Sequence, residues 1–310
     1  MRATTKLATF AVVVAVVFGA AWAVGAAVGP VDVGDDDSHA SHGAAAVDGG
    51  ELPRGLSVAQ SGYRLVAEAT SFAQGAMHKF AFRIVDDEGA SVTAFQKLHE
   101  RALHLIVLSR NLVDYWHLHP TMDESGRWSV ELPALSAGSY RVFADFQPDN
   151  ADNLTLGVDI AVPGTVQPAV LPATADVATV DDYTVTLKAA PTVGDNELSF
   201  TVERGGEIVT TEPYLGAAGH LIAIRAGDMA FLHVHPHTGG SAVVTFTGEL
   251  PTAGAYRLFF DFSHDGVVRT AAFTVIVPDR MSTTEKSITE TSMTETSMTE
   301  TSMTEAHEGH

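Results

Sequence analysis

The sequence predicts an all-β chain: two tandem immunoglobulin-like β-sandwich domains, preceded by an N-terminal transmembrane or signal helix and followed by a disordered C-terminal tail. Three observations predict it. The chain repeats itself: HLIVLSRNLVDYWHLHP at 104–120 returns as HLIAIRAGDMAFLHVHP at 220–236, and AGSYRVFADF returns as AGAYRLFFDF. Within each copy, short runs such as YRLVAEA, KFAFRIV, LHLIVLS, WSVELP and SYRVFADF are separated by Gly, Pro, Asp and Asn, with no sustained helical period, which is the pattern of antiparallel strands. Each copy is about 100 residues, the ordinary size of an immunoglobulin-like sandwich. The chain has no cysteine to pin that assignment, so a small β-barrel stays open.

Taken in order, residues 1–31 form the first element. Arg2 and Lys6 precede a stretch from Leu7 to Val31 without a charged residue, and Asp32, Asp35, Asp36 and Asp37 follow it. A basic start, a long apolar span and an acidic exit describe a signal-anchor or signal peptide inserted with its N-terminus inside. The span exceeds the roughly 7 to 15 apolar residues of a secretory segment, which favours a retained anchor. The remainder is therefore expected outside the cytoplasm, anchored to the cell membrane or secreted. Residues 32–55, rich in Asp, Ala and Gly, read as a flexible stalk. Repeat 1 covers 56–164, a Pro-punctuated linker covers 165–179, and repeat 2 covers 180–278. The tail, 279–310, iterates a five-residue unit with little apolar bulk.

Composition narrows the function classes. Without cysteine there are no disulfides, thiolate metal sites or thiol catalysis. The formal net charge of −20, from 38 acidic and 18 basic residues, argues against nucleic acid as a partner.

The repeated residues carry the chemistry. His104, His117 and His119 recur 116 positions later as His220, His233 and His235, and Asp145 recurs as Asp261. A two-residue turn at Ala226-Gly227 sets His220 directly across from His233, with His235 two residues on and on the same face. The same spacing places a turn at Arg110-Asn111 and pairs His104 with His117. Opposed side chains lie about 5 Å apart at Cβ and diagonal ones about 7 to 8 Å, so three imidazoles can converge from one hairpin. Proline after the second histidine ends the strand and sets the cluster at the rim of the sandwich.

Neutral imidazoles suit copper(II), zinc, nickel or iron, and by the order of divalent affinities copper(II) comes first and zinc second. Asp145 and Asp261, each 26 residues after the last histidine of its copy, stand as a fourth ligand or as orienters of a ligand imidazole, against an ordinary surface or sheet-edge role. Trp116, Tyr140, Phe143, Phe146, Tyr256, Phe259 and Phe262 read as core. His99 corresponds to Leu215, and His78 and His264 have no counterpart, so none of these is assigned to the site. His237 is close enough to His235 to assist. Asn153-Leu154-Thr155 fits a glycosylation acceptor, a triplet common by chance. In the outlying segments His39, His42, His307 and His310, with Met293, Met298 and Met303, could collect copper weakly.

The tandem repeats with HLHP and HVHP, the LVAEATSF opening and the AGSYRVFADF and AGAYRLFFDF closings resemble secreted or membrane-anchored bacterial proteins, chiefly actinobacterial, described as heavy-metal-associated. More loosely, the repeats resemble YtkA-like β-sandwich domains and, in chemistry, periplasmic copper-resistance sandwich proteins that hold copper(II) with His and Asp. The resemblance covers about residues 56 to 278; its own function is mostly unassigned, and it raises the metal reading while leaving the metal open. Residues and resemblance together are read as an extracytoplasmic transition-metal binding protein for capture, buffering or delivery, with a membrane metal transporter as a candidate partner. Two other classes compete. A metal-free cell-envelope scaffold or interaction protein uses the same sandwiches. A cupin-like metalloenzyme is suggested by His117-x-His119 followed by Glu124, but Asn111 stands where that motif has Gly, and Gly240 replaces Glu124 in the second copy. No nucleophile–base–orienter set recurs beside the histidines, so catalysis is not expected.

Overall fold

In the computed structural model the described residues are 53–232, 234–237 and 242–279, with His235 described by its backbone alone. The anchor, most of the stalk, the tail and His233 lie outside them. The described residues contain no helix. Repeat 1 contributes β1 (Ala59–Gln60), β2 (Tyr63–Ala67), β3 (His78–Val85), β4 (Phe95–Gln96), β5 (Leu103–Ser109), β6 (Tyr115–Leu118), β7 (Thr121–Met122), β8 (Arg127–Leu132), β9 (Gly138–Pro148) and β10 (Leu154–Val162). Repeat 2 contributes β11 (Val177–Val180), β12 (Tyr183–Lys188), β13 (Gly194–Arg204), β14 (Glu207–Val209), β15 (His220–Arg225), β16 (Phe231–Leu232), β17 (Val234–Pro236), β18 (Val243–Leu250), β19 (Gly254–His264) and β20 (Val267–Val277).

Each repeat is two antiparallel sheets. In repeat 1 the orders are β1-β2-β3-β8-β7 and β10-β9-β5-β6; in repeat 2 they are β11-β12-β13-β18-β17 and β20-β19-β15-β16. This division of strands is that of an immunoglobulin-like sandwich. A second mark of that fold is the tyrosine corner. Tyr140 Oη donates to the Ser136 carbonyl at 2.9 Å, and Tyr256 Oη donates to the Thr252 carbonyl at 2.7 Å, each four residues upstream at the entry to β9 or β19.

Alternation builds two cores and an interface. Leu103, Leu105 and Val107 of β5, with Val142, Ala144 and Phe146 of β9, fill repeat 1 together with Phe80, Phe82 and Trp128. Leu221, Ala223, Leu258 and Phe260 do the same in repeat 2, against Phe200 and Phe246. The intervening residues form a third cluster, where Ile106, Leu108 and Phe143 meet Ile222, Ile224 and Phe259. All seven residues of β5 are buried because its outer face is covered by the other repeat.

The contact follows a pseudo-twofold. Tyr115 stacks on Phe259 at 4.2 Å, and their equivalents, Phe231 and Phe143, meet at 5.6 Å. Such reciprocal contacts define an isologous interface. Arg54 and Gly55, expected in the stalk, instead pair with Phe231 and Thr155, bridging edge strands β16 and β10 of the two sheets that meet at the interface.

The hairpins differ from expectation in register. In β5–β6, Leu105 faces Leu118 and Ile106 faces His117; in β15–β16, Ala223 faces Leu232. Both are displaced by two residues from the two-residue-turn register. Ser109 N–H reaches the Asp114 carbonyl and Arg225 N–H reaches the Ala230 carbonyl, so four residues lie between the closing pair in each hairpin. Ser109 Oγ accepts from the Asp114 and Val113 N–H groups, and Leu112 takes a positive φ of 62°. Neither central residue of Arg110-Asn111 supplies the glycine that tight hairpin turns favour. An even displacement keeps every side chain on its face, so His104 and His117 remain together.

Candidate metal centre

The histidines lie on the outer faces of β5, β6 and β15, and hence between the repeats rather than at an open rim. His104 and His220 are 6% and 7% exposed, and the His117 side chain is equally buried. After Leu118 the chain leaves β6 and crosses to the other sheet as β7, which sets His119 at the crossing. The donor nitrogens of His104, His117 and His119 all lie within 4.8 Å of one another. Their ring centres are 5.2, 5.1 and 4.8 Å apart.

His104, His117 and His220 are each held by the outer ring nitrogen. His104 Nε2–H donates to the Leu98 carbonyl at 2.9 Å, and its equivalent, His220 Nε2–H, donates to the Tyr214 carbonyl at 3.0 Å. Those carbonyls open matching tight turns in which His99 and Glu100, or Leu215 and Gly216, all take positive φ. Positive φ in His99, Glu100 and Leu215 is strained backbone, retained here where it aims a carbonyl at a cluster imidazole. His117 Nδ1–H donates to Asp261 Oδ2 at 2.8 Å, across the repeat boundary. The same Asp261 oxygen accepts from Tyr115 Oη at 3.0 Å, and its other oxygen accepts from Thr270 Oγ1 at 2.5 Å.

With its outer N–H committed to the Leu98 carbonyl, His104 turns Nδ1 inward to His117 Nε2 at 2.9 Å. A proton between the two nitrogens makes this a hydrogen bond; with both rings neutral and both outer nitrogens donating, it is a pair of opposed lone pairs that a cation would relieve. His119 Nε2 is also buried, with no hydrogen-bond partner. Burial, then the neighbouring His117, lowers the pKa of His104 to about 4 and those of His119 and His220 to about 3. Neutral rings with free lone pairs are the form that a metal ion takes.

The two aspartates do different things. Asp261, 1% exposed, orients His117 in the manner of a carboxylate–histidine–metal triad. Asp145 faces His104 in register but is bonded by Thr155 Oγ1 at 2.7 Å and Asn153 Nδ2 at 3.3 Å. The surface or sheet-edge alternative is overturned for Asp261 by its burial. Asn153 and Thr155 serve this network, and Thr155 is buried. Of the second trio, His220 joins the cluster from across the interface, His233 lies outside the described residues, and His235 pairs by backbone with Thr247. His237 Nε2 meets Thr247 Oγ1 on an exposed surface. His78 and His264 bond locally to Ala73 and Tyr183.

Sequence reasoning left out His99. Its ring stands edge-on to His220 at 4.9 Å and lies 6.2 Å from His104. Having no histidine counterpart in repeat 2, it carried no repeat signal. A cavity of about 50 Å³ is lined by His99, His104, His117 and His220 together with apolar residues that include Ile222, Phe231 and Leu232.

Fold and site together define a tandem immunoglobulin-like sandwich protein with a histidine cluster buried between its two domains. The chain belongs to the family described as Domain of unknown function (DUF8832), whose model matches residues 57–163 and again 178–279. No curated protein matches it. Among solved structures it is similar to the FdeC adhesin of Escherichia coli, at 14% identity and a TM-score of 0.23, over 71% of this chain and 65% of that one. It is similar to domains 4–9 of the surface layer protein SbsC at 14% and 0.23, over 69% of this chain and 31% of that one. Fibronectin(III)-like modules of Clostridium thermocellum CbhA match at 10% and 0.20, over 69% and 93%. The chain thus spans less than two thirds of the first two.

Proposed function

We propose that this chain is an extracytoplasmic transition-metal binding protein that captures, buffers or delivers copper or zinc, acting by binding rather than catalysis. The observation that carries this reading is the approach of His104 Nδ1 to His117 Nε2 at 2.9 Å, with both outer nitrogens already donating. A cation beside those lone pairs turns a repulsion into two ligand bonds, and His119 supplies a third. Ring centres about 5 Å apart suit imidazoles on one four-coordinate ion at ligand bonds near 2.0 Å. Copper(II) leads by affinity and zinc follows. The apolar N-terminal segment would hold the chain at the membrane, beside a transporter that receives or supplies the ion.

Calorimetric titration of the full chain with copper(II) and with zinc tests the reading. Binding that is lost in both His104→Gln and His117→Gln supports it; no difference between these variants and the parent overturns it. A second reading, the metal-free envelope scaffold, is favoured by one observation: the apolar inter-repeat cluster joins the two sandwiches without help from any ligand. Unchanged titrations would leave that reading standing.

A further inference from the structure

The ion expected at the cluster has ligands from repeat 1 and an orienting carboxylate from repeat 2, which raises the question of what repeat 2 itself donates. We propose that His220 is a ligand too, so that a single ion is clasped between the two repeats and fastens them to each other. This rests on the metal-binding reading above and names the donor set and its consequence.

His220 is the pseudo-twofold mate of His104, and the two are prepared alike. Each donates Nε2–H to a carbonyl six residues upstream, Leu98 or Tyr214, and each therefore keeps Nδ1 as a lone pair. The His220 ring centre lies 6.1 Å from those of both His104 and His117. Rings sharing one ion stand about 5 Å apart in a tetrahedron and about 6 Å apart when opposed, given ligand bonds near 2.0 Å. His220 can stand opposite only one of them, so relative to the other it lies about 1 Å beyond the tetrahedral spacing, and the clasp requires the cluster to contract by that much onto the ion.

His99, His104, His117 and His220 line one cavity of about 50 Å³, and a site holding a water needs only some 10 to 15 Å³ by the same measure. His99, edge-on to His220 from the strained turn after Leu98, is placed to hold that ring. The repeats meet through a packed isologous interface, so an ion bound by both halves adds its binding free energy to their association.

The test compares the full chain with its His220→Gln, His104→Gln and His237→Gln variants. Each is titrated with zinc against a competing chelator and followed by hydrogen exchange of β15 with and without the ion; folding of the metal-free variants is checked by circular dichroism. His237 is exposed and outside the cluster, so its variant reports binding elsewhere. The clasp predicts a loss of at least tenfold in affinity in His220→Gln, loss of zinc-dependent protection of β15 in the same variant, and no change in His237→Gln. Parental affinity and protection in His220→Gln, with binding still lost in His104→Gln, overturns the clasp while leaving a repeat 1 site. Equal binding by all four chains overturns both.

Discussion

Tyr115 of repeat 1 lies parallel to Phe259 of repeat 2, ring centres 4.2 Å and planes 4° apart, and its hydroxyl donates to Asp261 at 3.0 Å. One side chain therefore joins the apolar interface to the carboxylate that holds His117. Phe259→Ala removes the stacking partner and opens a void in the third cluster, at a cost of about 3 to 5 kcal/mol. Urea unfolding of this variant is expected to separate into two transitions as the repeats uncouple. A single transition with an unchanged midpoint would show that the interface contributes little.

Asp261→Asn should leave the fold in place and weaken metal binding about 10- to 100-fold, the usual effect of losing a carboxylate that orients a ligand imidazole. Tyr115→Phe removes only one donor to that carboxylate and should act in the same direction, more weakly. Competition with a chelator of known affinity ranks the two variants against the parent.

The tyrosine corners act locally. Tyr140→Phe and Tyr256→Phe each delete one hydroxyl-to-carbonyl bond at the entry to β9 or β19, and Tyr256→Phe also deletes the contacts of that hydroxyl with Thr252 N–H and Oγ1. Each should cost about 1 kcal/mol. The two corners share no partner, so the double variant is expected to lose the sum, measured by chemical denaturation.

The metal-free protein should lose stability in acid. His104, His119 and His220 have folded pKa values of about 4, 3 and 3, against 6.5 in the unfolded chain. Between these limits the unfolded state binds more protons, so stability is fully present above pH 6.5 and declines as pH falls toward 3. Melting in the presence of a chelator at pH 7, 6 and 5 should show a progressive drop, shallower in His220→Gln. Metal retention should likewise persist below the pH at which exposed histidines protonate.

Much of this was legible from residues alone. The run LHLIVLS announced a strand, and the repeated histidines announced a shared face. The two-residue displacement was not legible, because the four-residue loop depends on Ser109 Oγ and on Leu112 in a left-handed conformation that no propensity favours. The face survived that error only because the displacement is even. The inter-repeat contact did leave a trace. A strand apolar at both odd and even positions is covered on both sides, and Ile106 and Leu108 share the face of His104. The tyrosine corners were spelled in AGSY and AGAY but read as core. His99 left no trace, since its counterpart Leu215 preserves the backbone of the turn and not its chemistry.

The reciprocal pairs Tyr115–Phe259 and Phe231–Phe143 have a historical consequence. Two equivalent surfaces meeting about a twofold are what a homodimer of single domains presents, so this chain has the form of such a dimer fused through residues 165–176. In a dimer every substitution strikes both halves at once. Fusion removes that constraint: one half can acquire a histidine at position 99 while the other keeps leucine at 215. A symmetric ancestor could not have differentiated its two sides; the joined chain can devote them to different tasks.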